Sequence, residues 1–270
     1  MSSARPKVDS IHPAPAARDG KPFPALRDRP FVAFACLHSV DLLAYNQLYL
    51  TLPLALVRSG AGAGPVVLFC HGAGSNIASW WQQLPAFGAQ HPCIALELRC
   101  FGRSEAPVEE FTLHNHVDDV IAVLDHAGID QVAFIGQSLG GMVGLRTALW
   151  HPHRVSAFVA AGSSLAIDHP LLVAAVQGHL QRVPASSIEQ RAFSAWFNAE
   201  RPDLAALYAH IGRFNPNAHR ITKEAWGAAM AALNTPQSLL ATDALRDLVC
   251  PTLFILGSAD PVVPLPAVEA

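Results

Sequence analysis

Gln131-Val132-Ala133-Phe134-Ile135-Gly136-Gln137-Ser138-Leu139-Gly140-Gly141 is the stretch on which the fold turns. Val132 to Ile135 form an apolar run of the length and composition of a buried strand, and from Met142 onward the pattern becomes helical. Between them stands Gly-x-Ser-x-Gly. In a strand-to-helix elbow the glycines at 136 and 140 leave room for a tight turn, which projects the oxygen of Ser138 into the open. Ser138 is therefore the first residue to suspect of chemistry.

Working outward, the same alternation recurs on both sides. Val66 to Cys70 is an apolar run typical of a central parallel strand covered on both faces, and it ends at His71-Gly72-Ala73-Gly74-Ser75-Asn76. A second strand, Cys93 to Glu97, ends at Arg99-Cys100-Phe101-Gly102-Arg103-Ser104. A helix over His114 to His126 sets Val117, Val120, Ile121 and Leu124 on one face and turns Asp118 and Asp119 away. After the elbow, Met142, Leu145 and Leu149 form the inward face of the next helix, Pro152 ends it, and Val155 to Ala161 is another strand. This rhythm predicts an α/β fold with a doubly wound, mostly parallel sheet.

Residues 163–248 read differently, with no convincing strand. Ser186-Ser187-Ile188-Glu189 reads as a capping box ahead of Phe193, Trp196 and Phe197. Pro202 suits the first turn of a helix with Leu204, Leu207, Tyr208 and Ile211, and Thr222 the cap of another with Trp226, Met230 and Leu233. The block is read as a helical lid inserted between core segments 31–162 and 249–270. The sheet resumes at Pro251 to Leu256, followed by Gly257-Ser258-Ala259-Asp260-Pro261. Phe31 to Phe34 and Leu48 to Leu52 are expected to supply one or two leading strands, and residues 1–30, rich in Pro, Ala and Arg, a disordered leader.

Composition excludes several classes. With 270 residues, 51% hydrophobic and 14% charged, the chain can bury a large core, and a net charge of -3 provides no basic footprint for nucleic acid. No apolar run reaches the ~18 residues of a membrane span. Cys36, Cys70, Cys93, Cys100 and Cys250 lack metal-ligand spacing and read as reduced thiols, which predicts a cytoplasmic protein without a metal. Asp9, Asp19 and Asp28 fit a transit peptide poorly but leave organellar targeting open.

In order along the chain, His71-Gly72 after a strand, the Arg99 to Ser104 turn, Asp118-Asp119, the Ser138 elbow and Asp260 after a strand resemble the lid-bearing α/β-hydrolases, the group of 3-oxoadipate enol-lactonases, carbon-carbon bond hydrolases and related esterases. The resemblance runs from about Gly64 to Pro261. It implies that Ser138 attacks the carbonyl of a small ester or lactone to form an acyl-serine. Asp260 orients the base, the backbone N–H groups of Ala73 and Leu139 hold the oxyanion, and His71, Gly72, Gly136, Gln137 and Gly140 support the site, with no cofactor. A serine at 138 argues against the epoxide hydrolase and haloalkane dehalogenase branches, whose nucleophile is a carboxylate.

Plainer readings stand beside these. Ser138 is also compatible with a simple tight turn, Asp260 with a turn-forming aspartate before Pro261, and His71 with a hydrogen bond inside its loop. Asp118 and Asp119 read most simply as a solvated helix face, and the aromatics of 163–248 as lid core. Cys100 and Glu97 stand where the resembled turn has glycine and aspartate. The resemblance also places the catalytic histidine after one further strand, and no histidine follows Asp260. The expectation is a fragment or truncated product lacking the last strand and helix, or a chain that no longer catalyses and binds a small apolar ligand or a protein partner. Loss of that histidine alone lowers turnover on the order of a millionfold, leaving about a thousandfold over water. Thr252 to Leu256 is then expected near an uncovered sheet edge.

Overall fold

The computed structural model describes residues 54, 56–60, 62–182, 187–215 and 220–269. The expected leader and the leading strands expected at 31–34 and 48–52 lie outside them, and the first described strand is β1 (Leu56–Ser59). In chain order there follow β2 (Val67–Cys70), α1 (Gln83–Gly88), β3 (Cys93–Leu96), α2 (Leu113–His126), β4 (Val132–Gln137), α3 (Leu139–Trp150) and β5 (Val155–Ala161). Next come β6 (Ile167–Asp168), α4 (Pro170–Arg182), α5 (Ile188–Ala192), α6 (Ala195–Glu200), α7 (Pro202–Arg213), α8 (Lys223–Ala232), β7 (Leu240–Ala241), β8 (Thr252–Ile255) and α9 (Pro266–Glu269).

Six strands form one sheet in the order β1-β3-β2-β4-β5-β8, parallel except for β1 against β3. Every residue of β2 and β3 is buried, as expected of central strands covered on both faces. The predicted mostly parallel α/β sheet is present. β8 lies at the far edge with Leu253, Phe254 and Ile255 at 55%, 44% and 52% exposure, as expected for Thr252 to Leu256.

Helix boundaries follow local chemistry. Thr112 caps α2 by accepting from the N–H of Asn115, and Gly128 at φ 65 lets the chain leave after it. Val117, Val120, Val123 and Leu124 are its buried face. Asp119 is buried as well, which corrects the expectation of a solvated pair. It faces Arg99, whose Nε and Nη2 donate to its two oxygens at 2.7 and 2.6 Å, and a bidentate pair offsets the cost of burial. Only Asp118 is on the solvent side.

Two further expectations are corrected. In α3 Leu145 is buried as expected, but so are Leu139, Val143, Arg146, Thr147 and Ala148, while Met142 and Leu149 are half-buried, because a helix packed on both sides has no single inward stripe. The 163–248 segment does contain strands, β6 and β7, paired in parallel through Ile167 with Leu240 and Asp168 with Ala241. At two residues each they are too short to show an alternating pattern. α4 adds a helix before the expected ones, and the capping box sits one residue later, on Ser187 and Gln190.

Candidate active site

At the carboxyl end of β4 the backbone of Ser138 takes φ 49 and ψ -112, a conformation that non-glycine residues rarely adopt. It is held from several sides. The N–H of Ser138 donates to Ala161 O at 2.9 Å, and its carbonyl accepts from Gly141 N–H at 2.9 Å and Ser163 Oγ at 2.7 Å. A Cβ at position 136 would lie 2.2 Å from Gly140 O, and one at 140 only 2.1 Å from Cys70 O, so both glycines are required by close packing. Leu139 opens α3, where the first N–H groups have no acceptor within the helix.

The loop after β2 comes directly against this elbow. A Cβ on Gly72 would sit 2.1 Å from Gln137 Oε1 and 3.1 Å from Ser138 Cβ. His71 is fully buried beneath it: Nδ1–H donates to Gly72 O at 2.8 Å and Nε2 accepts from Leu98 N–H at 3.1 Å, which defines a neutral tautomer. Burial lowers its pKa to about 4. With both nitrogens committed, His71 fastens the His71 to Gly74 loop to the turn after β3. Asn76 fastens it to α7, donating from Nδ2 to Ile211 O at 2.7 Å and Phe214 O at 3.0 Å.

Asp260 follows β8 at the same end of the sheet. Its Oδ1 accepts from the N–H groups of Val262 and Val263 at 2.8 and 2.9 Å, an arrangement that orients the carboxylate. Oδ2 faces Gly162 at the end of β5, where a Cβ would be 3.5 Å away. β5 lies between β4 and β8, so Ser138 and Asp260 flank it on one edge.

Residues 65–269 match the family described as the alpha/beta hydrolase fold. The chain belongs to that family. It is 27% identical over 210 residues to 3-oxoadipate enol-lactonase 2 of Acinetobacter baylyi, covering 75% of this chain and 74% of that protein. To 2-hydroxymuconate semialdehyde hydrolase of a Pseudomonas strain it is 28% identical over 218 residues, covering 76% and 74%. Similarity to epoxide hydrolase 2 of Siraitia grosvenorii reaches 38% but extends over only 112 residues, 40% of this chain and 35% of that one. A solved N-acyl homoserine lactone degrading enzyme superposes at TM-score 0.64 with 27% identity, covering 80% of this chain and 83% of that one.

In this alpha/beta hydrolase the turn after β3 is a second strained site. Cys100 takes φ 68, its Sγ 3.6 Å from Ala106 O and 3.7 Å from Pro107 O, and burial raises its pKa to about 11. Glu97 accepts from Arg103 N–H at 2.6 Å. The buried Glu97 side chain thus braces the turn.

Several histidines are committed away from the serine. Nδ1 of His116 is 2.6 Å from Thr112 O, and His114 pairs with Asp118. His91 reaches Pro65 O and His210 reaches Ala206 O, while the rings of His151 and His153 meet beyond the far end of α3. None of these contacts reaches Ser138 or Asp260. Ser163, Asn76 and Arg146 escaped sequence reading, since a serine, an asparagine and a helical arginine carry no pattern until their distant carbonyl partners are known. Around α7, Phe193 meets Phe197 and Tyr208, while Trp226 packs on Phe101 and Phe111 of the sheet domain and Trp196 is exposed.

Proposed function

We propose that this hydrolase-family protein cleaves a small ester or lactone through an acyl-serine on Ser138. The observation that carries the reading is the elbow: Ser138 is presented at positive φ between obligate glycines, with the loop after β2 against it and Asp260 along the same sheet edge. The N–H groups of Ala73 and Leu139 serve as oxyanion donors, and donors of this kind lower the barrier by about 3 kcal/mol. Gln137, wedged against Gly72, keeps the loop and the elbow in register. The helices of 163–248 act as a lid, seated on the loop after β2 by Asn76 and on the turn after β3 by Trp226 against Phe101. The lactonase and lactone-degrading relatives support this substrate class.

Ser138 needs a base, and the described histidines above are occupied elsewhere. A base added from solution is therefore expected to hasten acylation of Ser138. The test is intact-mass measurement after exposure to p-nitrophenyl acetate and butyrate, with and without imidazole, for the wild type and Ser138→Ala. An acyl adduct confined to the wild type and hastened by imidazole is expected. Identical spectra and rates in the two proteins under both conditions would overturn the reading. The same histidine contacts favour a second reading, in which the site binds a small apolar ligand without turnover. Saturable binding of such an ester, unaltered by Ser138→Ala and unaccompanied by acylation, would establish it.

A further inference from the structure

Arg146 lies on α3, two helical turns beyond Ser138, and is 1% exposed. Among the described residues no carboxylate pairs with it. Its guanidinium instead gathers backbone carbonyls from three places: Nη1 donates to Met142 O at 3.3 Å and Leu165 O at 2.9 Å, and Nη2 to Ala166 O at 3.3 Å and Ser238 O. Burial lowers its pKa only to about 10, so the charge is retained at neutral pH. A buried, unpaired cation is a costly way to fill space, and a leucine or methionine would do so more cheaply. Its rigid fork of donors suits the collection of carbonyls.

The carbonyls it collects are the informative part. Leu165 and Ala166 stand at φ 58 and 50, consecutive left-handed residues on the segment by which the chain leaves β5 for the helices. Such a backbone cannot direct its carbonyls into a regular ladder, and buried carbonyls need donors. Ser238 lies on the returning segment just before β7, and Leu240 N–H donates to Ala166 O at 2.9 Å. One side chain thus holds both crossings between the sheet domain and residues 163–248. The outgoing crossing is also joined to the elbow, since Ser163 Oγ donates to Ser138 O at 2.7 Å and accepts from Leu165 N–H at 3.1 Å.

We propose that Arg146 is a positioning residue that clamps both crossings of the helical segment to the nucleophile helix, so that the seat of the lid and the presentation of Ser138 are set together. The functional meaning rests on the acyl-serine reading, whereas the clamp is measured without any chemistry at Ser138. The experiment is residue-resolved amide exchange on the full 270-residue chain and its Arg146→Met, Arg146→Lys and Ser163→Ala variants. In Arg146→Met the amides of 165–167 and 238–241 are expected to exchange about 100-fold faster, beyond any change in β2 and β4. Gly141 and Met142, whose N–H groups bond Ser138 O, should follow by about tenfold. Arg146→Lys, which keeps the charge but cannot span both crossings, should release one crossing and remain folded where the methionine variant does not. Ser163→Ala should loosen Leu165 and the elbow amides and leave 238–241 protected.

A uniform rise across β2, β4 and the crossings would reduce Arg146 to a general stabiliser and overturn the proposal. So would unchanged protection at the crossings in folded Arg146→Met or Arg146→Lys. Loosened crossings with an unmoved elbow would overturn the coupling to Ser138. Because exchange is blind to acylation, the clamp and the hydrolase reading can fail separately.

Discussion

The elbow after β4 and the turn after β3 place a non-glycine residue at positive φ, Ser138 at 49 and Cys100 at 68, yet the two side chains have opposite fates. Around Ser138 the neighbours are glycines pressed against the Gly140 and Cys70 carbonyls, and the side chain is only half-buried. Around Cys100 the neighbours are anchors: Arg99 on Asp119, Glu97 on the Arg103 amide, and Ser104 Oγ on Glu97 O at 2.6 Å. The thiol points inward with its pKa raised by burial. Backbone strain alone therefore does not expose a side chain. What distinguishes the two turns is whether the surroundings leave the strained side chain facing outward or enclose it.

Three measurements would break or sharpen that contrast. The largest effect is expected from Gly140→Ala, whose methyl would lie 2.1 Å from a backbone oxygen in β2. Urea unfolding should show a loss of at least about 3 kcal/mol, and a loss below ~1 kcal/mol would show that the elbow tolerates a side chain.

Next comes the link between the two turns, His71, which bonds the Leu98 amide while buried and neutral. Its folded pKa of about 4 lies below the unfolded value near 6.5, so between those values the unfolded chain holds the extra proton. Stability present above the unfolded value should fall by about 3 kcal/mol as pH drops from 6.5 through 4, with a shallower fall in His71→Gln. Equal pH slopes in the two proteins would remove His71 from the account. His116, lowered by burial to about 3, adds a slope of the same sign.

The smallest effect should come from Cys100→Gly. Relief of the left-handed strain and loss of the buried thiol oppose each other, so the variant should be neutral or stabilised by up to ~1 kcal/mol in the same unfolding assay. A destabilisation of ~2 kcal/mol would mean that thiol packing outweighs the strain.

Much of the fold and the elbow is legible in the residues alone. The runs at 66–70, 93–97, 132–135 and 155–161 announce buried parallel strands because strands covered on both faces need no alternation. Gly136 and Gly140 announce the elbow because no other residue fits against a carbonyl. Asp119 misleads, since a carboxylate on a helix resembles a solvated one until its arginine, twenty positions away, is seen beside it. β6 and β7 mislead because two residues carry no period.

The sequence by itself determined the alternation of strands and helices from 66 to 161 and the elbow, since these depend on periodicity and on glycines required locally, and its ordered motifs carried the resemblance to the hydrolase family. Only the tertiary structure decided that both ring nitrogens of His71 meet backbone groups, that Cys100 is enclosed while Ser138 is not, and that Arg146 bonds carbonyls of both crossings. Each of those depends on which backbone carbonyl or amide a side chain meets across the fold, and that partner has no identity in the sequence.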